Sequence, residues 1–222
     1  MKGIWIFLFS LLPGLVLVES GSAIEVQWIY EDGGDSSWGV ILCHGRGGDP
    51  ESYVVDPLRL ELNELLGVHT LSLQMPGGRK ELPDYKDDFP EAHMRIEKAI
   101  EYLRARGVRS FVLIGHSLGS RMATSYLAAN PSSPITLFVG VGMLNNGEPP
   151  LNCLENLRDV RIPVLDIWGT AGRAGDNNYG LERRVLRSSR YQQHAVAGGD
   201  HALSDHEDEL VQVVADWLSS NN

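Results

Sequence analysis

Residues 110–130 constrain this chain more than any other stretch. An apolar run, Phe111-Val112-Leu113-Ile114, leads into Gly115-His116-Ser117-Leu118-Gly119, and a helical stretch from Ser120 to Ala129 follows, closed by Asn130-Pro131. Strand, G-x-S-x-G, helix is the setting of a nucleophile elbow. In so tight a turn the serine backbone is strained and bulky neighbours would clash, which Gly115 and Gly119 avoid. The turn holds the Ser117 hydroxyl up at the C-terminal end of the strand with a helix N-terminus behind it.

The remaining segments alternate. Strands are expected at Ile24–Tyr30, Gly39–Cys43, Val68–Leu73, Ile135–Val141, Ile162–Trp168 and Tyr191–Val196, from apolar or β-branched runs bounded by turn residues. Helices are expected at Leu58–Leu66, Pro90–Arg106 and Leu181–Ser189. A last helix begins at Ser204, where Ser204 and Glu207 have capping-box spacing. Residues 79–90 and Gly169–Gly180 read as loops, and Asn145–Val160 as irregular with room for a short helix. Such alternation predicts an α/β fold, a mostly parallel sheet with helices on both faces. Ligands of such sheets bind at the C-terminal ends of the strands, the edge that receives every loop singled out below.

A serine hydroxyl needs a base, a group to orient that base, and donors for the oxyanion. The base is His201, in Gly198-Gly199-Asp200-His201 between the last strand and the last helix. His206 falls on an exposed helix start, His93 in a helix, His194 in a strand, and His44 and His116 flank motifs. For the oxyanion, one backbone N–H comes from Leu118. The other comes from Arg46, in the glycine-rich loop His44-Gly45-Arg46-Gly47-Gly48.

With these motifs in order, the chain resembles the alpha/beta hydrolase superfamily. The carriers are His44-Gly45-Arg46-Gly47, Met75-Pro76-Gly77-Gly78, the elbow at Ser117, Pro163 to Thr170, and Gly199-Asp200-His201. The likeness extends over about residues 37–220. More narrowly, Ser72-Leu73-Gln74-Met75-Pro76 and Val164-Leu165-Asp166-Ile167 resemble exported bacterial members with no assigned reaction. The resemblance implies a single-domain fold over residues 24–222 and a serine hydrolase acting on an ester or thioester. It departs from the superfamily in the acid. Members often carry Gly-Thr-x-Asp after this strand, where the present chain has Gly169-Thr170-Ala171-Gly172. Asp176, four residues on, is the first substitute, then Asp166 within the strand, then Glu148 after the preceding strand. A site with no acid is the remaining option, and it would favour a non-catalytic binding or accessory protein on the same scaffold.

The chain has 222 residues and a formal net charge of −10, with no basic run. That argues against nucleic acid and anionic membranes as partners. No P-loop, dinucleotide fingerprint or HExxH motif is present, so no cofactor or metal is expected. The expected partner is a small-molecule ester or thioester. Too few residues separate the elbow helix from the Ile162 strand for a large lid, so the site should be open, with Arg46, Arg79, Lys80, Asp84, Asp87 and Asp88 nearby. Residues 1–23 have the form of a secretory signal peptide: Lys2, an apolar stretch, then Gly21-Ser22-Ala23. Export to the periplasm or beyond is expected, with cleavage after Ala23 leaving no membrane span; an uncleaved anchor is the alternative. Two cysteines, Cys43 and Cys153, leave a disulfide open, with two buried thiols the simpler expectation.

Overall fold

The computed structural model describes residues 27–78, 80–172 and 176–221. The expected leader (1–23), the start of the first expected strand and Arg79 lie outside the described residues. The elements run β1 (Trp28–Glu31), β2 (Trp38–Cys43), α1 (Val55–Leu66), β3 (His69–Leu73), α2 (Phe89–Arg104), β4 (Ser110–His116), α3 (Leu118–Ala129), β5 (Ile135–Val141), α4 (Cys153–Leu157), β6 (Val164–Gly169), α5 (Asp176–Glu182), β7 (Tyr191–Val196) and α6 (Glu207–Ser220). They form one seven-stranded sheet of order β1-β3-β2-β4-β5-β6-β7. Among the described strands only β1 is antiparallel, pairing with β3.

The central strands are buried on both faces, which is why they read as unbroken apolar runs. Side chains of β4 alternate across the sheet. Phe111 and Leu113 join a core with α2 and α3. Val112 and Ile114 join the opposite core with α1 and α6. Each such apolar side chain, fully removed from water, contributes roughly 1.5–3 kcal/mol. In α2 the buried positions Phe89, Ala92, Ile96, Ala99, Ile100 and Leu103 follow a helical stripe. At the end of α1, Gly67 (φ 62°) donates its N–H to Asn63 O, a left-handed cap that favours glycine.

The strand order decides where a site can form. The chain winds from β2 through α1 to β3, crosses back over β2, then winds the other way from β4 onward. Helix α1, leaving β2, and helix α3, leaving β4, therefore pack on opposite faces. Beyond these strand ends the crevice opens. Between Val141 and Val164 the only helix is the short α4, so the described residues place no large lid over the crevice.

Four local expectations are corrected. Residues 82–88 form a 3-10 helix within the expected 79–90 loop. Helix α5 begins at Asp176, inside the expected Gly169–Gly180 loop, and a 3-10 turn at Arg183–Leu186 replaces the expected helix to Ser189. Helix α6 begins at Glu207, and its N-cap is His206, with no side-chain capping bond. Ser204 is drawn instead into the turn that carries His201. There Asp200 Oδ1 accepts the N–H groups of Ala202 and Ser204, each at 2.9 Å. Leu203 and Asp205 adopt left-handed backbone (φ 55° and 61°). Both cysteines are buried and free. Burial pushes the Cys43 thiol up to about 12.

Candidate active site

Ser117 sits between β4 and α3 with φ 53° and ψ −112°, a strained conformation for any residue but glycine. Its surroundings enforce the turn. The Ser117 N–H donates to Val141 O on the neighbouring strand at 2.9 Å. Its carbonyl accepts from Ser120 Oγ at 2.7 Å. A Cβ on Gly115 would lie 2.6 Å from Ser120 Cα, and one on Gly119 would lie 2.1 Å from Cys43 O. Gly119 thus brings the start of α3 against the end of β2, and with it the elbow against the loop that follows.

That loop, residues 44–48, passes close over the serine. A Cβ on Gly45 would meet Ser117 Cβ at 3.2 Å and His116 Nδ1 at 3.0 Å. His44 shapes the loop. Burial holds its pKa below the ordinary value, with the Gly45 bond opposing in part, so the ring is neutral. Its Nδ1–H donates to Gly45 O at 2.8 Å, and its Nε2 accepts the Met75 N–H at 2.9 Å.

Ser117 Oγ lies 2.8 Å from His201 Nε2, and His201 Nδ1 lies 2.9 Å from Asp176 Oδ2. The carboxylate fixes the tautomer. Nδ1–H donates to Asp176, which leaves Nε2 free to accept the serine O–H. Serine, imidazole and carboxylate are all buried or nearly so, with Ser117 7% exposed and the His201 and Asp176 side chains 10% and 3% exposed. His116 braces His201, its Nε2–H donating to His201 O at 3.1 Å. The three residues lie in the connections that follow β4, β6 and β7, at the edge expected from the alternation.

The other acid candidates lie elsewhere. Asp166 is fully buried in β6 and accepts from Arg183 (Nε 3.0 Å, Nη2 2.8 Å), Tyr191 Oη (2.8 Å) and Gln193 Nε2 (2.8 Å). Burial disfavours the Arg183 charge, but the Asp166 carboxylate outweighs it and holds the guanidinium above its ordinary value. Burial, then the Asp166 charge, pushes the Tyr191 phenol up, so it stays a donor. Glu148 is exposed in the loop after β5. At Gly172 a Cβ would lie only 2.4 Å from Asp176 Oδ2. The carboxylate of Asp176 thus fills the space a side chain at 172 would enter.

A cleft of about 460 Å³ opens at Ser117 and His201, lined also by Arg46, Ser52, Tyr53 and His116. Leu118 is the first residue of α3, where N–H groups lack intrahelical acceptors. Of the charged residues expected near the site, Arg46 lines the cleft. Lys80 is paired with Asp88 at 2.7 Å. No group of three or more metal-ligating side chains occurs among the described residues. Asn145 and Gln193, whose amides donate to Tyr179 O and Gly180 O of α5, carry no motif in the sequence. Only the lone charge within the β6 run hinted at a buried partner, which is Arg183.

The sheet, its winding and the elbow define the alpha/beta hydrolase fold. Est1E of Butyrivibrio proteoclasticus, solved with ferulic acid bound, superposes with a TM-score of 0.72 at 14% identity, over 88% of this chain and 94% of that one. A dienelactone hydrolase of Anabaena variabilis gives 0.71 at 17% identity, over 90% and 93%. A family model described as "Protein of unknown function (DUF3530)" matches residues 84–220, and the chain belongs to that family. In sequence it is 32% identical over 93 residues to a Bos taurus (lyso)-N-acylphosphatidylethanolamine lipase, 41% of this chain. The match spans about a quarter (26%) of the lipase.

Proposed function

We propose that this chain is a serine hydrolase that cleaves carboxylic ester or thioester bonds through an acyl-enzyme on Ser117. The observation that carries the reading is the relay Ser117 Oγ, His201 Nε2, His201 Nδ1, Asp176 Oδ2, with successive hydrogen bonds of 2.8 and 2.9 Å. In the first half-reaction Ser117 Oγ attacks the carbonyl carbon while its proton passes to His201 Nε2. The N–H groups of Arg46 and Leu118 receive the oxyanion, a contribution that mutagenesis of such donors puts at about 3–4 kcal/mol each. His201 then gives its proton to the leaving alkoxide or thiolate, and the acyl group stays on Ser117. In the second half a water loses its proton to His201 and attacks the acyl carbon. The acid leaves and Ser117 recovers its proton. Asp176 orients the imidazole and stabilises its cation in both halves.

The relatives named as a lipase and a dienelactone hydrolase support hydrolysis. The accessory-protein reading rested on the missing carboxylate at 172, and Asp176 supplies one to His201. The leader-like segment 1–23 supports export, to be checked by N-terminal sequencing for a start near Ile24. The reaction itself is tested with a fluorophosphonate probe and short p-nitrophenyl esters. Labelling at Ser117 and turnover are expected in the wild type, and neither in Ser117→Ala. Turnover that survives in Ser117→Ala would refute the assignment.

A further inference from the structure

Helix α5 carries Asp176 yet has only seven residues, too few to hold itself together in water. Its last turn is fastened from outside. Carbonyls at a helix C-terminus lack intrahelical partners, and here two side-chain amides supply them. Asn145 Nδ2 donates to Tyr179 O at 3.1 Å and to Glu182 Oε2 at 2.9 Å. Gln193 Nε2 donates to Gly180 O at 2.8 Å. Both amides are aimed by one buried ion pair. Arg183 Nη1 donates to Asn145 Oδ1 at 2.9 Å, which turns the Asn145 amide nitrogen toward α5. Asp166 Oδ2 accepts from the same Gln193 nitrogen at 2.8 Å. Arg183 also donates to Met143 O at 2.8 Å, tying the loop after β5 into the same frame. A buried ion pair is weak evidence of stability, since apolar residues of similar volume often serve as well. Its directed hydrogen bonds give orientation instead.

We propose that Asn145 and Gln193, aimed by the Asp166–Arg183 pair, are positioning residues for the acid. They fix the C-terminal turn of α5 and so hold the carboxylate at its N-terminus against His201. The consequence for turnover rests on the serine hydrolase reading. The placement of Asp176 does not.

Asn145→Asp and Gln193→Ala test this. Asparagine to aspartate keeps size and the acceptor for Arg183 but removes the donor to Tyr179 O and sets a charge against Glu182. On p-nitrophenyl acetate each variant should lower kcat about tenfold, the scale of one lost hydrogen bond, with KM within about twofold. A second readout is independent of activity. The His201 Nδ1 proton, shared with Asp176, should give a far-downfield proton NMR resonance that His201→Gln removes. It should broaden or vanish in both variants. Leu62→Ala, in α1 on the other face of the sheet, is the control. It should lower Tm at least as much and leave kcat and the resonance unchanged. Wild-type kcat and an intact resonance in both variants would overturn the proposal. So would a wild type without the resonance, or a Leu62→Ala that loses it equally. A resonance lost in Asn145→Asp, in a protein with no Ser117-dependent turnover, would sustain the positioning role and refute the hydrolase reading.

Discussion

Replacing Asp176 with asparagine removes one charge and almost no volume, so its effect on rate can be worked from the geometry. On the proposed mechanism His201 carries a positive charge in the transition state, and Asp176 Oδ2 lies 2.9 Å from its Nδ1. The centres of the two delocalised charges are then about 4 Å apart. With an effective dielectric constant of about 20, their attraction is about 4 kcal/mol, close to a thousandfold in rate. The side chain is 3% exposed, so solvent screening takes little from that figure. The amide can also donate to Nδ1, which would move the proton to Nε2 and block acceptance from serine. That second loss carries the total toward ten thousandfold, the scale known for triad acids. Steady-state release of p-nitrophenolate from a short ester should show the loss in kcat, with KM nearly unchanged. Fluorophosphonate labelling of Ser117 should slow in parallel. The fold should hold, with Tm within a few degrees of wild type. A loss below tenfold, or one that tracks a large drop in Tm, would refute the role given to Asp176.

Further outcomes follow from the same geometry. Gly172→Asp alone should impair turnover, because its Cβ would meet Asp176 Oδ2 at 2.4 Å. Combined with Asp176→Gly it should recover at least about tenfold over Asp176→Gly alone, measured on the same ester, and no recovery would count against a shared carboxylate position. Arg183→Met leaves Asp166 buried without its cation and should cost about 3–5 kcal/mol in urea unfolding; a loss under about 1 kcal/mol would contradict the frame described for α5. His44 is held neutral by burial, with its folded pKa below the ordinary 6.5, so below that value the unfolded chain binds a proton that the folded chain refuses. Its contribution is full above pH 6.5 and is lost as pH falls toward the lowered folded value. Urea unfolding of wild type and His44→Gln at about pH 7.5 and 5.5 should show the larger loss in wild type.

The parts legible in the sequence were those fixed by local rules. Strands β2, β4 and β5 read as apolar runs because both of their faces are covered. Helices α2 and α6 read from stripes that one-sided burial imposes. Ser117 was legible because a strained turn needs glycine on both sides, and His201 because glycines bring its loop to the elbow. What escaped depended on contacts between distant segments. The Ser204–Glu207 spacing is that of a capping box, yet Asp200 captures the Ser204 N–H first. Helix α5 has a glycine at 180, a poor helix former, and it packs on Trp168, a contact between segments that no local pattern announces. A Cβ on Gly180 would lie 2.3 Å from the Trp168 ring, and Trp168 Nε1 donates to Asn177 Oδ1 at 3.1 Å.

The acid shows most sharply how sequence position and spatial position part company. By motif, the carboxylate is missing at 172. In space it is present, delivered from residue 176 by the first turn of α5. The two facts are connected. Any side chain at 172 would intrude on the Asp176 carboxylate, so glycine at 172 goes with this placement of the acid. Moving the acid onto a short helix then creates a need that an acid on the strand-end loop would not have. The helix must be held in register with His201. Asp166, which looked like a rival acid in the sequence, answers that need through Arg183, Asn145 and Gln193. The same departure from the common pattern thus accounts for a glycine, a buried ion pair and two amides that no motif connects.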